Sequence, residues 1–220
     1  LNITKNFLIN ALDAIVKKVI EMPIFDLATI GVLSIQLFAI MDPLAAIPTL
    51  LDIVTSLQEH ESRKLIDKAA LVIFILLNVF AVVGGYILMI FGISVPAFKM
   101  AAGVILMATA IDTLITGHKP EKIDVGTYII VPIATPLIVG PGTMTLLITS
   151  AKIYGILNTL IASYIAFIFT YLILRVSGKL VKLVGETFIH GLGRFMSIII
   201  ASFAVEMMTS GISEYIKTLE

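Results

Sequence analysis

The chain has 220 residues, of which 59% are hydrophobic and 14% charged, with 15 Lys and Arg against 15 Asp and Glu. Soluble domains carry about a quarter charged residues, so this composition excludes an ordinary soluble globule, and a formal charge of zero gives no support to a nucleic-acid or acidic partner. With no cysteine, disulfides, thiolate metal sites and a cysteine nucleophile are excluded. The three histidines (His60, His118, His190) do not cluster, so no metal site is expected.

In chain order, the first 25 residues read as an interfacial helix. "NFLINALDAIVKKVIE" puts Leu8, Leu12, Ile15 and Val19 on one stripe and Asp13, Lys17, Lys18 and Glu21 elsewhere, the pattern of a helix lying on a membrane rather than a cleaved signal. A membrane-spanning helix needs about 20 apolar residues, and six blocks qualify. They run Leu27 to Leu51, Ala69 to Phe91, Val95 to Thr116, Thr127 to Thr149, Ile156 to Leu174 and Ile189 to Ser210. Backbone groups must find partners inside lipid, so the blocks are predicted to be helices. The short alternating segments of a β-barrel are missing from the sequence.

Two of these blocks carry proline pairs. "DPLAAIP" (42–48) in the first corresponds to "TPLIVGP" (135–141) in the fourth, with Pro43 and Pro48 matching Pro136 and Pro141 at the same spacing. "AIDTLITG" (110–117) in the third corresponds to "AVEMMTSG" (204–211) in the sixth, with Asp112 matching Glu206 and Gly117 matching Gly211. The expected architecture is therefore an all-α membrane protein of six transmembrane helices, arranged as two inverted three-helix repeats with discontinuous helices one and four. Three spans per repeat invert the second copy, the plan of many secondary transporters. The expected units are the N-terminal helix (1–25), repeat one (26–117), a connecting loop (118–126) and repeat two (127–220).

A proline inside a helix removes a hydrogen bond and costs about 3 kcal/mol. At membrane depth such a break is tolerated where it is buried in protein or lines a cavity. Asp42-Pro43 and Thr135-Pro136 each read as an N-cap followed by proline at the first helical position. Gly140 and Gly142 permit close approach of a ligand to the backbone. Half-helix ends offer N–H groups with partial positive charge and carbonyls with the opposite sign, a fit for a zwitterion. The rival reading is a simple kink.

Asp42 reads in two ways, as a contact for an ammonium or coupling proton and as an ordinary cap before proline. Asp112 and Glu206 lie near opposite membrane faces under inversion, as gating or coupling carboxylates or, the favoured reading, as side chains reaching to the interface. Lys99 and Arg194 read as interfacial anchors. Ser163, Thr170 and Ser177, seven apart, and the small residues Gly84, Gly85, Ala101, Ala102 and Gly103 read as helix-packing positions. Lys and Arg are more numerous on the side reached after spans one, three and five (Arg63, Lys64, Lys68, Lys119, Lys122, Arg175, Lys179, Lys182, Arg194) than on the other (Lys5, Lys17, Lys18, Lys99, Lys152, Lys217). That bias puts both termini outside a plasma membrane.

At "MDPLAAIP", "PLIVGPGTMT" and "KMAAGVILM" the chain resembles the MarC family of integral membrane proteins, and within it the SnatA-like transporters of small neutral amino acids. The resemblance covers nearly the whole chain. It implies a six-helix inverted repeat with broken first and fourth helices, and transport of glycine, alanine and similar solutes. Carried over residue by residue, the substrate site would comprise Asp42, Pro43, Ala45, Ala46 and Pro48 with Pro136, Gly140, Pro141, Gly142 and Thr143. Thr135 and Val139 adjoin it, and Thr135 and Thr143 add hydroxyls. Ala45 departs from the family's usual glycine, and Ala46 stands where a polar residue is common. The expectation is a non-enzymatic carrier with no cofactor, driven by a proton or sodium gradient, binding a small zwitterionic amino acid in the lipid bilayer. A homo-oligomer is compatible with it, and nucleic acid is not a partner. No phosphate-binding loop for ATP is present in the sequence. The rivals are a channel and, with Asp42, Asp112 and Glu206 as candidate carboxylates, an intramembrane aspartyl protease, which would need two of them close together.

Overall fold

The structure is a computed structural model that describes residues 26–54, 59–116 and 138–218. The N-terminal helix expected over 1–25, the loop at 118–126 and the start of the fourth span, with Thr135 and Pro136, lie outside the described residues. Among the described residues every regular element is a helix: α1 (Leu27–Met41), α2 (Pro43–Val54), α3 (Glu59–Val82), α4 (Gly84–Ile90), α5 (Val95–Thr116), α6 (Pro141–Tyr154), α7 (Ile156–Val184) and α8 (Glu186–Lys217).

Each boundary has a local cause. Asp26 caps α1: its Oδ1 accepts from the amides of Ala28 (3.1 Å) and Thr29 (3.3 Å), and its Oδ2 from Thr29 Oγ1 (2.5 Å). These bonds hold its carboxyl below the ordinary value, the Thr29 hydroxyl contributing most. α1 stops at Asp42, whose φ of 40° and ψ of 62° are left-handed, and α2 starts at the next residue, Pro43. Asp42 is the one non-glycine residue with positive φ among those described, and Asp pays less than most side chains for that conformation. Gly155 and Gly185 (φ 84° and 85°) punctuate α6, α7 and α8, each as a single residue between two helices.

Among the described residues five segments are long and apolar enough to cross a membrane: Leu27–Pro48, His60–Val82, Val95–Ile115, Ile156–Val184 and Thr187–Lys217. The third expected span coincides with α5 (Val95–Thr116). The second does not run unbroken from Ala69 to Phe91. It begins at Glu59 and ends at Val82, and α4 starts anew at Gly84. Gly84 lies against Ile148 of α6, where a Cβ would come within 2.5 Å of Cγ1. The fifth and sixth extend beyond the expected apolar blocks, because a helix continues past charged residues; α7 runs on to Gly185 and α8 to Lys217, where Thr218 is the cap. α6, with 14 described residues, is too short to cross alone.

Two apolar clusters organise the bundle. The larger joins α1, α2, α3, α6 and α7 through residues such as Leu37, Met41, Ala46, Leu77, Leu147 and Ala166. The smaller joins α1, α5 and α8 through Ile40, Leu106, Ala110, Ile200, Ala204 and Met207. α7 turns its small and polar stripe inward: Ser163, Thr170 and Ser177 are all buried. It meets α3 through Tyr164 Oη donating to Asn78 Oδ1 (2.6 Å) and through stacked Phe74 and Tyr164 rings 5.3 Å apart. Across the same pair Arg175 Nη1 also binds Asp67 Oδ1 at 2.5 Å.

α5 and α8 form the most extensive helix pair. Gly103 sits against Ala204 and Met208, and Gly211 against Pro96, Lys99 and Met100. Numbers rise on one helix as they fall on the other, so the pair is antiparallel. A Cβ on either glycine would lie under 3 Å from a backbone carbonyl of the other helix, 2.8 Å at Gly103 and 2.9 Å at Gly211. Gly85 has nothing within 4 Å, and Ala101 is exposed, so the expectation that both pack between helices does not hold. Large apolar side chains cover the outer surface, with Leu27, Ile90 and Leu183 more than 80% exposed. That suits a hydrocarbon surround and not water.

Candidate functional site

Three of the buried polar side chains, Asp42, Thr113 and Thr143, line one space. A cavity of about 60 Å³ lies between α1, α2, α5, α6 and α8. Ile105 and Leu106 reach it from the middle of Val95–Ile115, and Ile200 from near the middle of Thr187–Lys217, so it sits at mid-bundle. About 10–15 Å³ measured in this way holds one water, so the space matches roughly four to six water-sized atoms.

One wall is the junction of α1 and α2. The left-handed turn at Asp42 lets its amide close α1 onto the Phe38 carbonyl (3.2 Å), while its Oδ1 accepts from the Ala45 amide (3.2 Å) to open α2. One residue thus ends one helix and caps the next. Asp42 is 7% exposed, and it lines the cavity together with Ile40 and Ala45.

The facing wall is the start of α6. Gly140 is its N-cap in extended conformation (φ −89°, ψ −177°), makes no side-chain cap bond, and is followed by Pro141 at the first helical position. Gly140, Pro141, Gly142 and Thr143 all line the cavity. The first-turn amides of α6 thus point their partial positive charge at it. Thr143 Oγ1 donates to the Ile138 carbonyl (3.0 Å), which fastens the chain leading into the helix. Gly142 is a close contact, since a Cβ there would lie 2.9 Å from Leu106 Cδ1 and 3.0 Å from Ile40 Cγ2.

The two proline motifs are not used alike. In "DPLAAIP" the helix starts at the first proline, and Pro48 lies inside α2. In "TPLIVGP" the described helix starts at the second proline, Pro141. The difference is glycine: Gly140 has no side chain to favour helix and adopts the extended cap, whereas Ile47 carries the helix through Pro48. Pro48 has no N–H to give the Leu44 carbonyl, four residues back. Both residues line a void of about 10 Å³, roughly one water, together with Ala45, Thr113, His190, Gly193 and Arg194.

Of the residues expected at the site, Asp42, Ala45, Gly140, Pro141, Gly142 and Thr143 share the central cavity, and Pro48 lines the smaller void. Pro43, Ala46 and Val139 are buried but do not line the cavity; Ala46 and Val139 join the larger apolar cluster. Ala45 and Ala46 are about 100° apart around a helix, so they face different neighbours. Asp112 and Glu206 are exposed on the outside of the bundle and do not reach the cavity. The α5/α8 register sets Asp112 about nine residues, or about 13 Å, from the level of Glu206 along the bundle. The cavity also takes Thr109 and Thr113 of α5, which the sequence reading missed. Their hydroxyls donate to carbonyls one turn back, Ile105 (2.8 Å) and Thr109 (3.0 Å). A hydroxyl so engaged keeps lone pairs for a second donor. Their signal was the series Leu106, Thr109, Ala110, Thr113, which follows one face of a helix. Among the described residues no group of three or more potential metal ligands occurs.

The family profile described as MarC family integral membrane protein matches residues 27–216. A UPF0056 membrane protein of Pyrococcus abyssi is 32% identical over 194 residues, 84% of this chain and 95% of the relative. A second, of Pyrococcus horikoshii, is 31% identical over 84% of this chain and 94% of the relative. A third, of Methanocaldococcus jannaschii, is 29% identical over 80% and 92%. No solved structure matches. The profile match takes in both walls of the cavity and the α5/α8 pair, and this chain belongs to the MarC family of multi-pass integral membrane proteins.

Proposed function

We propose that this protein is a secondary transporter of small neutral amino acids of the glycine and alanine class, working by alternating access. The observation that carries the reading is the mid-bundle cavity where the Asp42 break faces the uncapped start of α6. The Asp42 carboxylate and the carbonyl end of α1 suit an ammonium; the α6 amides suit a carboxylate. The volume of about 60 Å³ suits a small solute such as glycine or alanine.

On this reading the full fold has six spans in two inverted repeats, with α1 and α2 forming a discontinuous first helix and α6 the second part of a discontinuous fourth. The antiparallel α5/α8 pair supports it, since inverted third helices meeting at a two-fold axis must run in opposite directions. The protein sits in the plasma membrane with both termini outside, needs no cofactor, and couples to a proton or sodium gradient. It is not an enzyme. The axial offset of Asp112 from Glu206, and the exposure of both, oppose a shared-proton dyad.

The test is uptake by purified protein in liposomes. Labelled glycine or alanine should accumulate against its gradient when a proton or sodium gradient is imposed, and unlabelled substrate should exchange with it. Flux that never saturates and shows no counter-flow would make the protein a channel instead.

A further inference from the structure

A second and larger cavity, of about 590 Å³, opens at one end of the bundle. It is formed where α5 begins and where α6 and α8 end, with Lys99, Lys152, Glu214 and Lys217 as its charged lining. These are the ends of spans, so the cavity lies at the level of lipid headgroups and is separate from the mid-bundle site. Its volume falls in the range of small-molecule sites, about 300–1,000 Å³.

Among the described lining residues the charges do not cancel. Three lysines and one glutamate leave a surplus of two positive charges. Each helix end adds about half a charge, positive from the start of α5 and negative from the ends of α6 and α8, which leaves roughly +1.5. Lys152 and Lys217 stand in the last turns of α6 and α8, where a cation complements the carbonyls. That accounts for two of the three. It does not account for Lys99, which lies close to the start of α5, where a helix disfavours a cation. Nor is Lys99 a snorkelling anchor, because it is only 9% exposed and its Nζ donates to Glu214 Oε1 at 2.6 Å. An ammonium has three donors, and that bond takes one. Ser94 and Thr149 add hydroxyls to the lining, and Val95, Pro96 and Ile153 give it apolar surface.

We propose that this cavity binds a phosphate group, that of an anionic phospholipid or a free phosphate, between Lys99, Lys152 and Lys217. The phosphate neutralises the surplus charge, and the apolar lining accepts the adjoining glycerol or acyl carbons when the source is a lipid. The proposal is independent of the transported solute.

The test compares the purified full chain with K152Q/K217Q, two substitutions at exposed positions that leave the Lys99–Glu214 pair in place. Native mass spectrometry measures retained phosphatidylglycerol against phosphatidylcholine, and thermal melting measures a titration with inorganic phosphate. Wild type should prefer phosphatidylglycerol, and the variant should lose about fivefold in retention for each lysine removed while eluting as the same folded species. If inorganic phosphate stabilises wild type and not the variant, with no preference between the lipids, the source is soluble phosphate. Equal phosphatidylglycerol retention by both proteins, together with equal response to phosphate, overturns the proposal.

Discussion

Ala45 and Thr113 form the partition between two spaces: each lines the mid-bundle cavity on one side and, on the other, the small void beneath His190 and Arg194. A solute leaving the cavity in that direction must pass between them. Ala45→Leu should therefore close the passage and fill part of the cavity. Glycine uptake in proteoliposomes should fall to background, with an overpacking cost of about 1–3 kcal/mol in melting experiments. Ala45→Gly should keep uptake and admit larger substrates.

Asp42 offers a way to separate capping from charge. Asp42→Asn keeps a cap acceptor and tolerates the left-handed turn, so stability should change by less than about 0.5 kcal/mol. Asp42→Ala loses the bond to the Ala45 amide and strains the turn, at about 2 kcal/mol in total. If the carboxylate serves transport, Asp42→Asn melts like wild type but fails in uptake. Normal uptake by that variant would leave Asp42 a cap alone.

Gly103 in the α5/α8 pair and Gly178 in α7 predict opposite signs for substitution by alanine. A Cβ at Gly103 would meet the Ala204 carbonyl at 2.8 Å, a backbone contact that no rotamer relieves. Gly103→Ala should destabilise by about 1–3 kcal/mol. Gly178, in the interior of α7, has nothing within 4 Å, so Gly178→Ala should stabilise by up to about 1 kcal/mol. Melting of both variants in one detergent checks the pair of signs.

Asp26 supplies a pH dependence. Its hydrogen bonds lower its folded value below the ordinary 3.8. A depressed acid stabilises the fold above the unfolded value and loses that contribution as pH falls through the lowered one. The melting difference between wild type and Asp26→Ala should be flat from about pH 8 to about pH 5, begin to shrink as the pH falls past about 4, and go on shrinking through the lowered folded value. A difference that grows as the pH drops would contradict the cap.

What could be read from the sequence was whatever local chemistry decides. The break at Asp42-Pro43 is announced by an Asp–Pro pair, because caps and prolines act on their own turn; the start of α6 at Pro141 was not expected, since the cap was read at Thr135-Pro136, which lies outside the described residues. The ends of α7 and α8 were misjudged because apolar blocks measure lipid contact, whereas helices run on to a stop such as Gly185. Thr109 and Thr113 were missed for a different reason. α5 is apolar nearly all round, so the series Leu106, Thr109, Ala110, Thr113 marks one face but does not say that α8 and α6 turn that face inward. Nothing in the proline spacing said that Pro48 would lie inside a helix while Pro141 opens one; the glycine before Pro141 separates the two.

Gly155 and Gly185 have a mechanical consequence. From Pro141 to Lys217 the chain is three rods joined by two single-residue corners. There is no slack loop between the rods to absorb a displacement, so α8 can move relative to α7 only as torsion at Gly185. Any rearrangement that opens the mid-bundle cavity by shifting α8 draws first on that pair of backbone angles, and a residue with a Cβ at that corner would be strained at φ 85° and ψ 153°, so it would force the elbow itself to change.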